Sequence, residues 1–221
     1  MGITALFLGS IGVVAETSDI QRRAYNQAMA EANLDWHWDK ARYRELLSAP
    51  GGQRRLRTLA AELGTSLSDA DIERIHARKT ILACEEVVSR PVRLRPGVAP
   101  LVQDALSRGI AVAFVTTTFR ENIDAIAAAA GDELPLERFA AILTIADAEQ
   151  PKPAPDVYQA ALSKLGIEPA AALALEDSTA SVAAAKAAGI YTVAVPGEYT
   201  RGQDFSAADQ RVDTVAGFTV P

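Results

Sequence analysis

The chain has little of what builds disulfide scaffolds, metal clusters or membrane spans. One cysteine, Cys84, stands alone among 221 residues, so no internal disulfide can form and a reducing compartment is expected. The two histidines, His37 and His76, lie far apart with no cysteine or carboxylate at metal-ligand spacing, which leaves them surface or packing roles. Basic charge is not in excess. With 22 Lys and Arg against 28 Asp and Glu, the net charge is −6, which argues against nucleic acid or an anionic membrane as partner. No apolar run approaches the roughly 18 residues of a membrane span, and no repeat or low-complexity segment interrupts the chain. The apolar N-terminus lacks a basic leader and a cleavage pattern, and Leu6 stands where a myristoylation motif needs Ser or Thr. A cytoplasmic protein is expected, and no motif names a protein partner.

What is present reads as an ordinary globular balance, 49% hydrophobic and 23% charged, long enough for one domain with a smaller insert. The organising stretch runs from Thr4 to Thr17. Ala5 to Leu8 form a short uncharged run that leads into Gly9, as a strand buried in a parallel sheet does. The loop after such a strand is where open α/β sheets place ligands.

Residues 17–90 then read as helices without a strand: Asp19 to Ala32 with Asn33 as its stop, a helix opening at Asp35–Asp39 and running through Leu47, and Gln53 to Leu63. Ala49-Pro50-Gly51-Gly52 separates the second from the third. A fourth helix, Ser68 to Val88, starts with Ser68 three residues before Asp71, a capping-box-like entry. Trp36 and Trp38 are expected to pack within this helical insert.

From residue 91 strand and helix alternate. The expected strands are Ile110 to Val115, Ala140 to Ile145, Ala172 to Leu175 and Tyr191 to Val195, with a short final strand near Asp213 to Phe218. Helices lie between them, among them Asp156 to Leu165 closed by Gly166. That alternation implies βαβ units, a parallel sheet and a three-layer, Rossmann-like α/β core.

Three strand ends carry polar groups: Thr116, then Lys152 in the stiff Pro151-Lys152-Pro153-Ala154-Pro155 loop, then Glu176-Asp177-Ser178. A hydroxyl, an ammonium and two carboxylates on one sheet edge suit a phosphoryl group with a hard divalent cation. Plainer roles also fit. Lys152 could simply pair with Glu176 or Asp177, and Asp177 could cap the helix that follows.

These segments, together with Ala15-Glu16-Thr17, Arg23-Ala24-Tyr25-Asn26, Gly51-Gly52, Arg95-Pro96-Gly97 and Ala187-Ala188-Gly189, give the chain its resemblance. It resembles the haloacid dehalogenase superfamily, in its β-phosphoglucomutase-like branch with a helical cap, and within that the CbbY-type sugar phosphatases. The resemblance implies a core of residues 1–16 and 91–221 with a cap inserted at 17–90. It implies phosphate contacts from Thr116, Thr117 and Lys152. Metal ligands would be Asp177, Glu176 and the carbonyl of Ile11, and cap contacts to substrate Gly51, Gly52 and Arg55. The substrate class would be sugar phosphates or bisphosphates such as xylulose bisphosphate, with Mg²⁺ as cofactor.

The family's first strand ends in Asp-x-Asp-Gly, whose first Asp attacks phosphorus and whose second moves the proton. Aligned on Gly12 and Ala15-Glu16-Thr17, this chain has Gly9 at the nucleophile position and Ile11 at the acid/base position. Gln21 and Gln53 also replace the His and Lys usual in the cap. Strand alternation turns Ser10 away from the face of Gly9 and Ile11. The expectation is an impaired homologue that still binds a phosphosugar or phosphate, with Mg²⁺ held weakly or not at all. A working phosphatase with a displaced nucleophile and a ligand-free interaction scaffold are the alternatives.

Overall fold

The computed structural model describes residues 2–48, 51–90 and 92–221. Six strands form one parallel sheet in the order β3-β2-β1-β4-β5-β6. They are β1 (Ala5–Leu8), β2 (Ala111–Val115), β3 (Ala141–Leu143), β4 (Ala172–Glu176), β5 (Tyr191–Ala194) and β6 (Gln210–Arg211). Between β1 and β2 run α1 (Ser18–Glu31), α2 (Lys40–Leu46), α3 (Gly52–Glu62), α4 (Asp69–Ser89) and α5 (Val98–Ser107). The later helices are α6 (Arg120–Ala130), α7 (Asp156–Leu165) and α8 (Thr179–Ala187).

The central strands are apolar on both faces because both faces are covered. Leu6, Leu8, Val112, Phe114, Leu173 and Leu175 pack with Val98, Leu101 and Val102 of α5 and Ile123 and Ile126 of α6. Residues one step out of phase (Ala5, Phe7, Ala113, Val115, Ala172, Ala174) meet Val157 and Tyr158 of α7 and Ala184 and Ala185 of α8. Alanines dominate the second face.

The insert holds its own core of Tyr25, Met29, Trp38, Tyr43, Leu56 and Ile75. Its base is continuous with the sheet's core, since Ile20 and Ala24 of α1 and Ala83 and Val87 of α4 join the α5–α6 side. Tyr199, in the loop after β5, reaches into the insert's core.

Most expected elements form within a residue or two of their expected bounds. α4 carries the full capping box, with Ser68 and Asp71 bonding reciprocally, and Asn33 ends the first helical segment in the left-handed region at φ 57°. Two expectations fail. Asp35 to Asp39 is not helical, and α2 begins at Lys40 with Asp39 as its cap. Asn26 holds that segment extended, bonding the backbone of Trp38 through its Nδ2 at 2.9 Å and its Oδ1 at 2.8 Å. The final strand lies at Gln210–Arg211, earlier than Asp213 to Phe218, because Asp209 and Val212 bond to the backbone of β5 and set the register there. Of the break between α2 and α3, Ala49 and Pro50 lie outside the described residues.

Replacing Asn26 with Ala leaves the Trp38 N–H without its acceptor in a partly buried place. The expected loss is about 1–3 kcal/mol of stability, read as a lower urea midpoint at unchanged slope.

Candidate functional site

Parallel pairing puts the C-terminal ends of β1, β2 and β4 side by side, with Leu8 level with Phe114 and Leu175. The residues that follow each strand therefore share one edge, and the helical insert stands over it. Gly9, Ile11, Gly51, Gly52, Arg55, Thr116, Thr117, Lys152, Glu176 and Asp177 all line one cavity of about 720 Å³ between the edge and the insert. Gln21 and Gln53 line it too.

At its floor lies a buried ion pair. The Lys152 ammonium donates to the Glu176 carboxylate and, at 2.8 Å, to the carbonyl of Val115 at the end of β2. The Tyr158 hydroxyl donates to the same oxygen of Glu176, and its ring lies 4.7 Å from the ammonium. Burial, then the Glu176 charge, holds the Tyr158 hydroxyl well above its usual range, so it remains a donor. Glu176 is 1% exposed and Lys152 4%. The plainer role considered for Lys152 is thus real, and it coexists with a place in the cavity.

Asp177 does not cap α8. Ser178 does, its hydroxyl accepting from the N–H of Ser181 at 3.3 Å. Burial, then the Glu176 and Glu16 carboxylates, pushes Asp177 well above the usual carboxylate range. Its side chain packs against Gly12, whose φ of +83° and close contact leave no room for a side chain. Glu16 is occupied elsewhere, accepting from the N–H of Ser18 at 3.0 Å and of Glu198 at 2.9 Å.

Position 9 is equally tight. A Cβ on Gly9 would stand 2.6 Å from Glu176 Oε2 and 2.9 Å from Val13 Cγ2. Ser10 differs from its expectation. The extended chain ends at Leu8 and bends at Ser10, so alternation no longer applies, and its hydroxyl lies 3.1 Å from that of Thr116 within the cavity. Thr116 Oγ1 also accepts from the N–H of Thr118 at 3.2 Å.

The insert contributes Tyr25, His76 and Lys79, and α6 of the core Asn122, none of which the sequence had placed in the site; His76, expected at the surface or in packing, lines the cavity. Gln21 bridges insert and core, its Nε2 donating to Asn122 Oδ1 at 3.1 Å. Gln21 and Tyr25, four apart on α1, and His76 and Lys79, three apart on α4, share helix faces, which is the signal that could have found them. Lys79 is 6% exposed and lies 4.8 Å from the centre of the Tyr25 ring, without a carboxylate partner among the described residues. Burial, then the Arg55 charge, brings it down to about 7. His76 is driven down to about 3, by burial first and then by Lys79 and Arg55, and is neutral at pH 7. His37 is exposed and Cys84 half-buried, both outside the cavity.

Lys79 gives a pH signature. Its pKa falls from 10.5 in the unfolded chain to about 7 in the folded one, so between those values the unfolded chain binds more protons and stability rises with pH. Lys79→Met is expected to stabilise most at pH 6, with its advantage shrinking as pH rises through 7 toward 10.5. Urea titrations at pH 6 and 9 read the difference.

The arrangement has relatives. Residues 4–189 match the family model described as haloacid dehalogenase-like hydrolase. The chain is 45% identical to Protein CbbY of Rhodobacter capsulatus over 96% of its own length and 93% of that protein's. It superposes with a TM-score of 0.91 on CbbY of Rhodobacter sphaeroides, at 36% identity and with 97% and 95% of the two chains covered. That protein has been solved with phosphate and, as an aspartate-to-asparagine variant, with xylulose-(1,5)bisphosphate. β-Phosphoglucomutase of Clostridium difficile, at 18% identity and TM-score 0.81, shares the fold. On both sequence and structure, this chain belongs to the haloacid dehalogenase-like hydrolases, among the homologues of CbbY.

Proposed function

We propose that the chain binds a phosphorylated sugar in this cavity and has lost the covalent phosphoryl transfer of its relatives. The insert at residues 17–90 acts in this reading as a cap over a core of 1–16 and 91–221. The observation that carries it is the contrast within one cavity: Lys152, Thr116, Glu176 and Asp177 remain, while Gly9 and Ile11 after β1 bring neither a nucleophile nor a proton. Attack on phosphorus needs a positioned lone pair, and the departing sugar oxygen needs a proton. Proton transfer alone is typically worth about 10²- to 10⁴-fold. What the cavity keeps suits binding: Lys152 supplies positive charge, the Thr116 hydroxyl and nearby backbone orient an oxyanion, and the insert stands over the strand-end edge.

The likeness to a protein solved with phosphate and with xylulose-(1,5)bisphosphate supports a phosphosugar as the ligand. A second reading rests on Ser10, whose hydroxyl reaches the cavity. Its neighbour there is the Thr116 hydroxyl, 3.1 Å away, which cannot serve as a base, so Ser10 lacks the activation that a serine nucleophile needs.

Phosphate release from xylulose-1,5-bisphosphate and a panel of sugar monophosphates separates the readings. The expected result is equal background release from the wild type, Lys152→Ala and Ser10→Ala. Release by the wild type that either substitution abolishes would establish a working phosphatase. The paired substitutions Gly9→Asp and Ile11→Asp, which require both Glu176 Oε2 and Val13 Cγ2 to move away from the new Cβ at position 9, are expected to raise release above the wild type in the variant that folds.

A further inference from the structure

Mg²⁺ asks for six oxygens in a near-octahedral shell and gives up its waters reluctantly, so it needs free carboxylate oxygens that face one point. The donors available here are Glu176, Asp177 and the carbonyl of Ile11. Glu176 Oε1 already accepts from both the Lys152 ammonium and the Tyr158 hydroxyl. Its other oxygen stands 2.6 Å from where a Cβ at position 9 would be, so Glu176 fills the space next to Gly9. Asp177 is pressed against Gly12. Among the described residues, no three His, Cys, Asp or Glu side chains come together as a metal-binding group. These donors do not fit a divalent cation.

The same geometry offers another counter-charge. Lys152 is an ammonium fixed at the sheet edge by Val115, and its resident anion is Glu176. We propose that Lys152 takes the place of a divalent cation in this chain, so that a phosphate group binds without metal and competes with Glu176 for the ammonium. Such competition sets the affinity. The incoming dianion meets the Glu176 carboxylate, already paired with the ammonium, at the floor of the cavity. In a Glu176→Gln chain the buried ammonium is left uncompensated and the phosphate becomes its only full partner.

This inference rests on the cavity being a phosphate site, and the experiment separates the two. Inorganic phosphate is titrated calorimetrically into the purified protein at pH 7, once with a chelator and once with millimolar Mg²⁺. Mg²⁺ is also titrated alone. The expected result is the same phosphate affinity in both buffers, no heat from Mg²⁺ alone, and loss of binding in Lys152→Ala. Glu176→Gln is expected to bind phosphate about tenfold tighter or more. Binding that requires Mg²⁺ would overturn the metal-free site and leave phosphate binding standing. No binding in either buffer would overturn both. A Glu176→Gln protein that folds and binds no tighter would remove the competition, while the wild-type titrations decide the metal question even if that variant does not fold.

Discussion

Parallel pairing of β1 between β2 and β4 is the constraint on which the rest depends. A parallel sheet sends every strand the same way, so the residues after Leu8, Val115 and Glu176 emerge on one edge although 61 to 168 positions separate them in sequence. The connections must then cross back over the sheet as helices, and those helices need a face to bury against. Leu and Phe on one side of the central strands and mostly alanine on the other meet that need. Once the sheet is closed on both faces, the strand-end edge is left as the place where polar groups can gather without breaking a core.

Within that edge the buried Lys152–Glu176 pair sets the electrostatics. Removing two ions from water is costly, and such a pair persists where hydrogen bonds satisfy the remaining valences. Val115 and Tyr158 do so here. The pair also explains how the chain accommodates Gly9, since the space beside that glycine is filled by Glu176 rather than left as a void. On the opposite wall the insert presents Lys79, a cation that burial drives toward neutrality. The cavity thus joins a core edge whose ammonium is already paired to an insert wall whose ammonium has no carboxylate partner among the described residues.

Much of this was legible in the chain. The uncharged runs at Ala5–Leu8 and Ala111–Val115, the Ser68/Asp71 box and the glycines after α7 and α8 are local signals, and local backbone energetics follows them. The strand-end series of Thr116, Lys152 and Glu176-Asp177 was legible because parallel topology maps strand ends onto one edge. The failures share a cause. Asp35 to Asp39 has helix-compatible residues, but Asn26 claims the backbone of Trp38 from another element. Ser10 was assigned to the wrong face because period-two reasoning was carried past the end of the strand.

What the sequence by itself determined is the fold class, the helical insert, the family and the absence of carboxylates at positions 9 and 11, since each is written in residue type and order. Only the tertiary structure decided which charges face each other. It paired Lys152 with Glu176, gave the cap of α8 to Ser178 rather than Asp177, brought Ser10 to Thr116, and set Lys79 against Tyr25. The physical reason is range. Patterning and capping act within a few residues along the chain, whereas desolvation and Coulomb interaction depend on distances that exist only after the sheet and the insert have closed on each other.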